Sequence, residues 1–232
     1  MNFDSPEDLM ALMTSEEPLH PDLLPYLEDD GPLGGMLRHP LVYDMMPRPG
    51  MVNRMYDQKV KAVAEAKASK DWSQVIWLHE RPHRFDALEK MYDDVEDDEQ
   101  WWSLVADVWN DSENIWQNAD EWSELLDSER PSRHAMMNEE EREALAALPE
   151  IITMYRGAQS ELNEDGMSFT TDLDRARWFA TRFAREGNDP VILTLTVPRE
   201  KVIAYLARRN ESEIIAFAVD VTVVSVEFPE QD

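Results

Sequence analysis

The sequence has no cysteine and no long apolar run, and these absences exclude several classes of protein. Without cysteine, the 232-residue chain cannot form disulfides, zinc sites with thiolate ligands or a cysteine nucleophile, and this composition fits a reducing compartment. No stretch approaches the roughly 20 apolar residues that a membrane-spanning helix needs. The first residues also lack the basic segment and the apolar core of a secretory signal. We therefore expect a soluble, cytoplasmic protein with no membrane partner.

Basic residues are also scarce. The chain has 22 Lys and Arg against 49 Asp and Glu, which gives a formal net charge of -27. Such a charge repels phosphate backbones, so it argues against direct DNA binding. Residues 91–150 alone hold 19 acids and three arginines. Two interpretations remain for this segment: a solvated face that keeps the protein in solution, or a surface that meets a basic partner or imitates nucleic acid.

The distribution of proline and tryptophan divides the chain into three parts. Residues 1–50 hold eight of the 14 prolines, which disfavour regular helices. This part is predicted to be a proline-rich arm, with at most short helices near 5–14 and 21–28. Residues 51–136 are predicted to form an acidic, Trp-rich helical region, and residues 137–232 a region that contains the strands.

Apolar residues recur at helical spacing in the middle part. The pattern predicts five helices, at about 51–70, 71–80, 83–94, 98–109 and 112–127. Six tryptophans lie between residues 72 and 116, and Trp122 follows them. They could form an aromatic binding surface, but their helical spacing favours a place in the core.

One motif in this part is typical of zinc proteases, and we reject it on physical grounds. His79 to His83 match the pattern H-E-x-x-H, which binds zinc only when both histidines lie on one continuous helix. Pro82 lies inside that helix, where it removes a hydrogen bond and clashes with the preceding turn at a cost of ~3 kcal/mol or more. We therefore expect the helix to end at about residue 80 and predict no metal site.

The pattern changes after residue 137. Asn138 and Glu141 form a variant of the capping box, which predicts a helix that ends before Pro149. Strands are predicted at 151–155, 166–171, 190–197, 202–206, 213–218 and 219–228, with a helix at 172–185 that carries Phe183 on its apolar face. This order predicts an α+β fold, in which a helical N-terminal half packs on a mainly antiparallel sheet.

Three short segments of the last part carry groups suited to chemistry: 154–157, 166–171 with the helix that follows it, and 209–215. The arginine of the first segment ends a strand and offers a rigid fork of donors for a phosphate or a carboxylate. Side chains alternate along a strand, so the hydroxyls of Ser168 and Thr170 share a face. The two glutamates of the third segment share a face if it is extended. Paired carboxylates can divide the work at a sugar C1, where one stabilises positive charge and the other positions the attacking group.

In this order, the three segments resemble those of the ADP-ribosyltransferases, in the branch marked by an arginine, a Ser-x-Thr strand and a Glu-x-Glu motif. The likeness covers roughly residues 137–220 and is closest to small bacterial and phage-encoded members. These enzymes cleave NAD at the nicotinamide–ribose bond and pass ADP-ribose to a side chain or to water. The resemblance implies a catalytic core with a split sheet of that type at 137–232, NAD as substrate and no metal.

The resemblance also implies catalytic roles for three residues. Glu213 is expected to bond the ribose 2′-hydroxyl and to stabilise an oxocarbenium-like transition state. Glu211 is expected to orient the acceptor nucleophile. Arg156 is expected to grip the diphosphate of NAD or the ribose on the nicotinamide side.

Five further residues are expected to bind NAD. Ser168 and Thr170 would form hydrogen bonds in the pocket and brace the catalytic glutamate. Gly157 would let the backbone approach the ligand. Tyr155 or Phe169 would stack near the nicotinamide.

Together these features predict a mono-ADP-ribosyltransferase that modifies a protein side chain, with arginine as the expected acceptor. An acidic surface would attract a target with a basic or arginine-rich surface. By analogy with the family, the protein is expected to be a toxin-like effector of a phage or bacterium, acting in the cytoplasm of a bacterial or infected host cell. Two alternatives stay open: an NAD glycohydrolase that uses the same site, and an acidic, non-enzymatic interaction or inhibitor protein that imitates nucleic acid.

Overall fold

The chain folds into two compact units, Met1–Glu96 and Asp97–Asp232. The structure, a computed structural model, describes residues 5–28, 35–113, 115–160, 164–182, 189–208 and 211–228. Helices and antiparallel sheets are both present, so the fold is α+β, as predicted. The division between the units falls inside the segment that sequence patterns assign to one helical region, 51–136. Within the described ranges, every helix is too short or too polar to cross a membrane.

The first unit combines a small sheet with helices. Its strands β1, β2 and β3 form an antiparallel sheet in that order. The prediction of an arm with at most short helices misses this sheet, although it locates the helix α1 and a 3-10 turn at Pro21–Tyr26. The elements of the first unit are α1 (Pro6–Met13), β1 (Leu27–Glu28), β2 (Met36–His39), β3 (Val42–Asp44), α2 (Pro49–Ala68), α3 (Trp72–Leu78) and α4 (Arg84–Glu89).

Apolar side chains from the proline-rich segment form most of one buried cluster in this unit. Leu23, Leu37, Leu41 and Val42 are buried together with Val52 of α2. Burial of each such side chain removes apolar surface from water and stabilises the folded state by roughly 1.5–3 kcal/mol. The described parts of residues 1–50 are therefore packed against α2 through three leucines and a valine, in spite of the prolines.

The H-E-x-x-H motif is not helical. Helix α3 ends at Leu78, and Pro82 lies in a separate 3-10 turn, Arg81–His83. His79 Nδ1 lies 2.7 Å from the carbonyl oxygen of Val75, and His83 Nδ1 lies 3.5 Å from a carboxylate oxygen of Asp86. The two histidines thus have separate partners on different elements. A search of the described residues finds no cluster of three or more His, Asp or Glu that could hold a metal ion.

The second unit contains the larger sheet and four helices in its described residues. Most element boundaries agree with the predictions to within a few residues, but α6 begins only at Ala119, after a 3-10 turn at Ile115–Asn118. The prediction that Arg156 ends a strand is wrong, because the strand continues to Gln159. Phe183 and the rest of 183–188 lie outside the described residues. The elements are α5 (Asp98–Asp111), α6 (Ala119–Asp127), α7 (Glu139–Ala147), β4 (Ile151–Gln159), β5 (Ser168–Thr170), α8 (Leu173–Thr181), β6 (Pro190–Pro198), β7 (Ala204–Leu206), β8 (Glu213–Ile215) and β9 (Thr222–Glu227).

The strands of the second unit form one antiparallel sheet in the order β7-β8-β5-β4-β6-β9. Strands β4 and β6 pair along their whole length, whereas β4 and β5 share a single pair, Tyr155 opposite Thr170. On one face, a core of strand residues packs against Leu145 and Leu148 at the end of α7. On the other face, Ala176 and Ala180 of α8 pack against β6.

Gly157 explains why α8 lies so close to the sheet. A Cβ atom at this position would lie 1.8 Å from the carbonyl oxygen of Ala176 and 2.7 Å from the amide nitrogen of Ala180. Only glycine therefore lets the backbone of α8 approach β4. The expectation that Gly157 admits a ligand stays a prediction, because helix packing already requires glycine here.

Candidate active site

A cavity of about 340 Å³ lies beside β4, β5 and β8 in the second unit. Its volume is in the range that is typical of small-molecule sites. The three segments picked out from the sequence meet there, with Arg156 and Glu213 lining the same cavity. All eight residues that the sequence predicts for the site line it: Tyr155, Arg156, Gly157, Ser168, Phe169, Thr170, Glu211 and Glu213.

At least two donors among the described residues hold the carboxylate of Glu213. Ser168 Oγ donates to Glu213 Oε1 at 2.5 Å, and Trp109 Nε1 donates to the same oxygen at 3.0 Å. Glu213 begins β8 and pairs with Thr170 of β5, which brings the carboxylate next to the serine. Two hydrogen bonds to a half-buried carboxylate fix its orientation before any ligand binds, which is the arrangement that electrostatic catalysis requires.

Trp109 is a site residue that sequence reasoning assigned to the core. It is buried in α5 and its ring packs edge-on against Trp122, with 5.0 Å between ring centroids. Four of the other six tryptophans between residues 72 and 122 are also buried, as the spacing predicts, but Trp77 and Trp116 are exposed. A buried indole usually finds an acceptor for its N–H. This general tendency is the only indication of a polar role for Trp109 that the sequence offers.

Thr170 holds the loop that carries Glu211. Its hydroxyl donates to the carbonyl oxygen of Glu211 at 2.7 Å and accepts from the amide of Asp172 at 3.1 Å. Ser212, which follows Glu211 in the chain, has a φ of 44°, in the left-handed region. Such a conformation costs about 1–3 kcal/mol and recurs at functional sites, although Lys70 and Ser132 adopt it away from the cavity.

The left-handed residue also corrects one expectation. Glu211 and Glu213 do not share a face of an extended segment, because β8 begins at Glu213 and the backbone turns at Ser212. Both residues nevertheless line the cavity. The turn at Ser212, and not the alternation of side chains along a strand, determines how the two glutamate side chains reach the cavity.

Glu211 already has a cationic partner. Arg175 Nη2 of α8 donates to Glu211 Oε1 at 2.5 Å. The guanidinium of Arg175 also lies over the rings of Trp178 and Phe179, at 4.7 Å and 5.3 Å from their centroids. Sequence reasoning did not identify this pair, because 36 positions separate its members.

The start of the same loop is held by a second group of contacts. Glu141 is 2% exposed, and its Oε1 accepts from the amide of Ala207 at 2.9 Å. Its Oε2 closes the predicted capping box with Asn138, which the structure confirms. Arg208 Nη1 donates to Asp107 at 2.6 Å. Residues on both sides of the turn into β8 are therefore anchored to helices α5, α7 and α8.

Arg156 braces the connection between β4 and β5. Its Nε donates to the carbonyl oxygen of Glu164 at 3.0 Å, and its Nη1 donates to that of Ser168 at 2.7 Å. Gly166 leaves the room that the guanidinium needs, since a Cβ there would lie 2.4 Å from it. Burial lowers the pKa of Arg156, while the charges of Asp165 and Glu213 act to raise that pKa. Binding of a diphosphate by Arg156 stays a prediction.

The aromatic residues of the cavity differ in the surface that they offer. Phe169 is 4% exposed and belongs to the apolar core, which leaves little of its ring for stacking on a ligand. Tyr155 is half-buried and packs against the cluster around α8. Trp116, in the 3-10 turn before α6, lines the cavity and is 65% exposed. Of these three aromatic residues, Trp116 is therefore the most exposed.

Comparison of the chain with family models, with curated proteins and with solved structures finds no match. The function must therefore be inferred from the residues of the cavity.

Proposed function

We propose that the chain is an NAD-dependent mono-ADP-ribosyltransferase that modifies a protein side chain, with arginine as the expected acceptor. The observation that carries this proposal is the carboxylate of Glu213, held by Ser168 and Trp109 in a cavity that it shares with Arg156 and Glu211. A rigid carboxylate beside a cavity of this size is suited to stabilise positive charge that develops on a bound sugar.

The proposed reaction breaks the bond between ribose C1 and the nicotinamide nitrogen of NAD. The bonding electron pair leaves with nicotinamide, which becomes neutral, and the ribose acquires oxocarbenium character. Glu213 stabilises that charge and bonds the ribose 2′-hydroxyl. The acceptor nitrogen then forms a bond to C1 and loses a proton, which Glu211 or solvent takes up. The fold of this unit would accordingly be of the ADP-ribosyltransferase type.

An NAD glycohydrolase is the second candidate, and a specific contact favours it. The carboxylate expected to orient an acceptor arginine is already paired with Arg175. Water does not have to form paired hydrogen bonds with Glu211, so it can attack C1 while the ion pair between Arg175 and Glu211 stays intact. Both candidates use Glu213 in the same way and differ only in the nucleophile.

The two candidates can be separated with labelled NAD and a cell lysate. Label transferred to protein supports the transferase, and free ADP-ribose alone supports the glycohydrolase. The decisive variant is Glu213→Gln, which keeps an acceptor oxygen for both donors but removes the charge. We expect it to fold and to lose NAD turnover by about 100-fold or more.

Glu227→Gln is the matched control, because Glu227 is exposed on the edge strand β9 of the same sheet. It should turn over NAD at the wild-type rate. Undiminished turnover in Glu213→Gln would remove both candidates.

A further inference from the structure

The guanidinium of Arg175 is bound within the chain by groups that could also bind the guanidinium of another arginine. The site supplies a carboxylate oxygen at 2.5 Å and two aromatic faces, from Trp178 and Phe179. Carboxylates and aromatic faces are the groups that recognise arginine in proteins. The side chains of Arg175 and Glu211 are 29% and 23% exposed, so the pair is more than a surface contact in open water. Phe179 and Glu211 both line the cavity.

The ion pair uses only part of what each side chain can offer. One Arg175 nitrogen, Nη2, bonds one Glu211 oxygen, whereas an arginine–carboxylate pair at its strongest uses two parallel bonds. Arg175 Nε is buried and has no hydrogen-bond partner among the described residues. A buried donor without a partner costs free energy, so the site binds Arg175 less tightly than it would with that donor bonded. Another guanidinium that satisfies more of its donors can therefore compete for the same carboxylate.

We propose that Arg175 occupies the acceptor position at Glu211 and thereby determines which acceptors the site accepts. The inference rests on the proposed function and deepens it. An incoming guanidinium that takes both oxygens of Glu211 in parallel bonds must displace Arg175 from Oε1, and two cations that stay at one carboxylate repel each other. Small free guanidines are therefore poor acceptors, and water competes well with them. A protein target reaches the position by adding contacts outside the cavity.

The experiment compares wild-type protein with Arg175→Gln, using agmatine as the guanidine acceptor and labelled NAD. The measured quantity is the ratio of ADP-ribosyl-agmatine to free ADP-ribose. We expect Arg175→Gln to raise this ratio about tenfold, because loss of a charge-assisted hydrogen bond frees the carboxylate. Arg177→Gln is the matched control: Arg177 lies on the same helix, is exposed and pairs with Asp174 at 2.8 Å. It should leave the ratio unchanged.

A ratio that stays the same or falls in Arg175→Gln would overturn the inference, since it would show that Arg175 only holds Glu211 in place. If that variant does not fold, Arg175→Lys replaces it; this change keeps the charge but loses the fork, and a smaller rise is expected.

Calorimetric binding of agmatine without NAD separates this inference from the proposed function. Tighter binding to Arg175→Gln than to wild type is expected whether or not NAD is consumed, and equal binding would refute a guanidinium position at Glu211. A wild-type protein that never consumes NAD would overturn the proposed transferase and glycohydrolase, and the role in acceptor choice with them.

Discussion

The two units of the chain differ in where they place polar groups. Among the described residues, the three buried polar side chains, Glu141, Gln159 and Thr170, all lie in the second unit. Every buried side chain of the first unit in the same residues is apolar or belongs to glycine. A buried polar group costs free energy unless it is hydrogen-bonded, so a fold does not gain such groups without a use for them. In the second unit, Glu141 accepts from the amide of Ala207, and Thr170 donates to the carbonyl oxygen of Glu211, which lines the cavity.

Two ion pairs of the second unit, Arg175–Glu211 and Arg208–Asp107, hold residues that precede β8. In the first unit, Lys70–Glu96 and Arg38–Glu28 are largely exposed pairs, which typically contribute 0–1 kcal/mol each, whereas Lys59–Glu80 is about as shielded as Arg175–Glu211. Partial burial of an ion pair therefore occurs in both units, and what distinguishes the second unit is that such pairs anchor residues next to a strand of the cavity.

The largest expected difference between the units concerns glycine. Gly157→Ala should destabilise the second unit by about 3 kcal/mol or more, because its Cβ meets the backbone of α8 at 1.8 Å. Gly35→Ala in the first unit should cost less than about 1 kcal/mol, since its nearest neighbour is the flexible end of Leu27 at 3.0 Å. Thermal unfolding should show a drop of about 10 °C for Gly157→Ala.

A drop of similar size in both glycine variants would contradict the close approach of α8 to β4. Circular dichroism of each variant at low temperature checks that both start from the native fold.

A smaller effect is expected from the tryptophan that bonds Glu213. Trp109→Phe keeps most of the ring volume but removes the N–H donor, and NAD turnover should fall about tenfold, since hydrogen bonds to charged groups contribute roughly 1.5–3 kcal/mol. Trp102→Phe is the control on the same helix. Trp102 is equally buried, but its Nε1 donates to the carbonyl oxygen of Pro131 at 2.6 Å.

Trp102→Phe should lower stability and leave turnover per folded molecule unchanged. Equal turnover in the two tryptophan variants would show that the bond to Glu213 has no part in the reaction.

The smallest effect concerns pH and the first unit. Burial lowers the pKa of His39 and the pKa of His79 below the ordinary value of 6.5, and in each case desolvation is the main cause. The charge of His83 lowers the pKa of His39 further, against an opposing effect of Asp22. Below pH 6.5 the unfolded chain therefore binds more protons than the folded unit, so the unfolding free energy falls as the pH falls.

Hydrogen exchange at pH 7.5 and 5.5, corrected for the intrinsic exchange rate, measures this effect peptide by peptide. Amides around β2 and α3 should lose protection at the lower pH. In His39→Asn, which keeps an acceptor for the amide of Leu41, the loss should be smaller. Unchanged protection in wild type would contradict the effect of burial on these histidines.

Much of the fold and eight of the 20 residues that line the cavity could be predicted from sequence. The capping box at Asn138 and the strands after residue 150 follow from patterns that span a few positions. The eight cavity residues follow from the order of three segments and its resemblance to a known family. The sheet of the first unit was missed because its strands have two to four residues, too few for a clear alternation. The left-handed turn at Ser212 was missed because serine at this position does not indicate it.

Periodicity and capping patterns were thus sufficient to identify an α+β chain, composition excluded cysteine chemistry, and a family resemblance in three segments indicated the candidate catalytic groups. Folding decided which groups those side chains touch. The bond from Trp109 to Glu213 spans 104 positions, and the bond from Arg175 to Glu211 spans 36. Such contacts depend on how helices α5 and α8 pack on the sheet, and a local pattern of residues carries no information about distances across that packing.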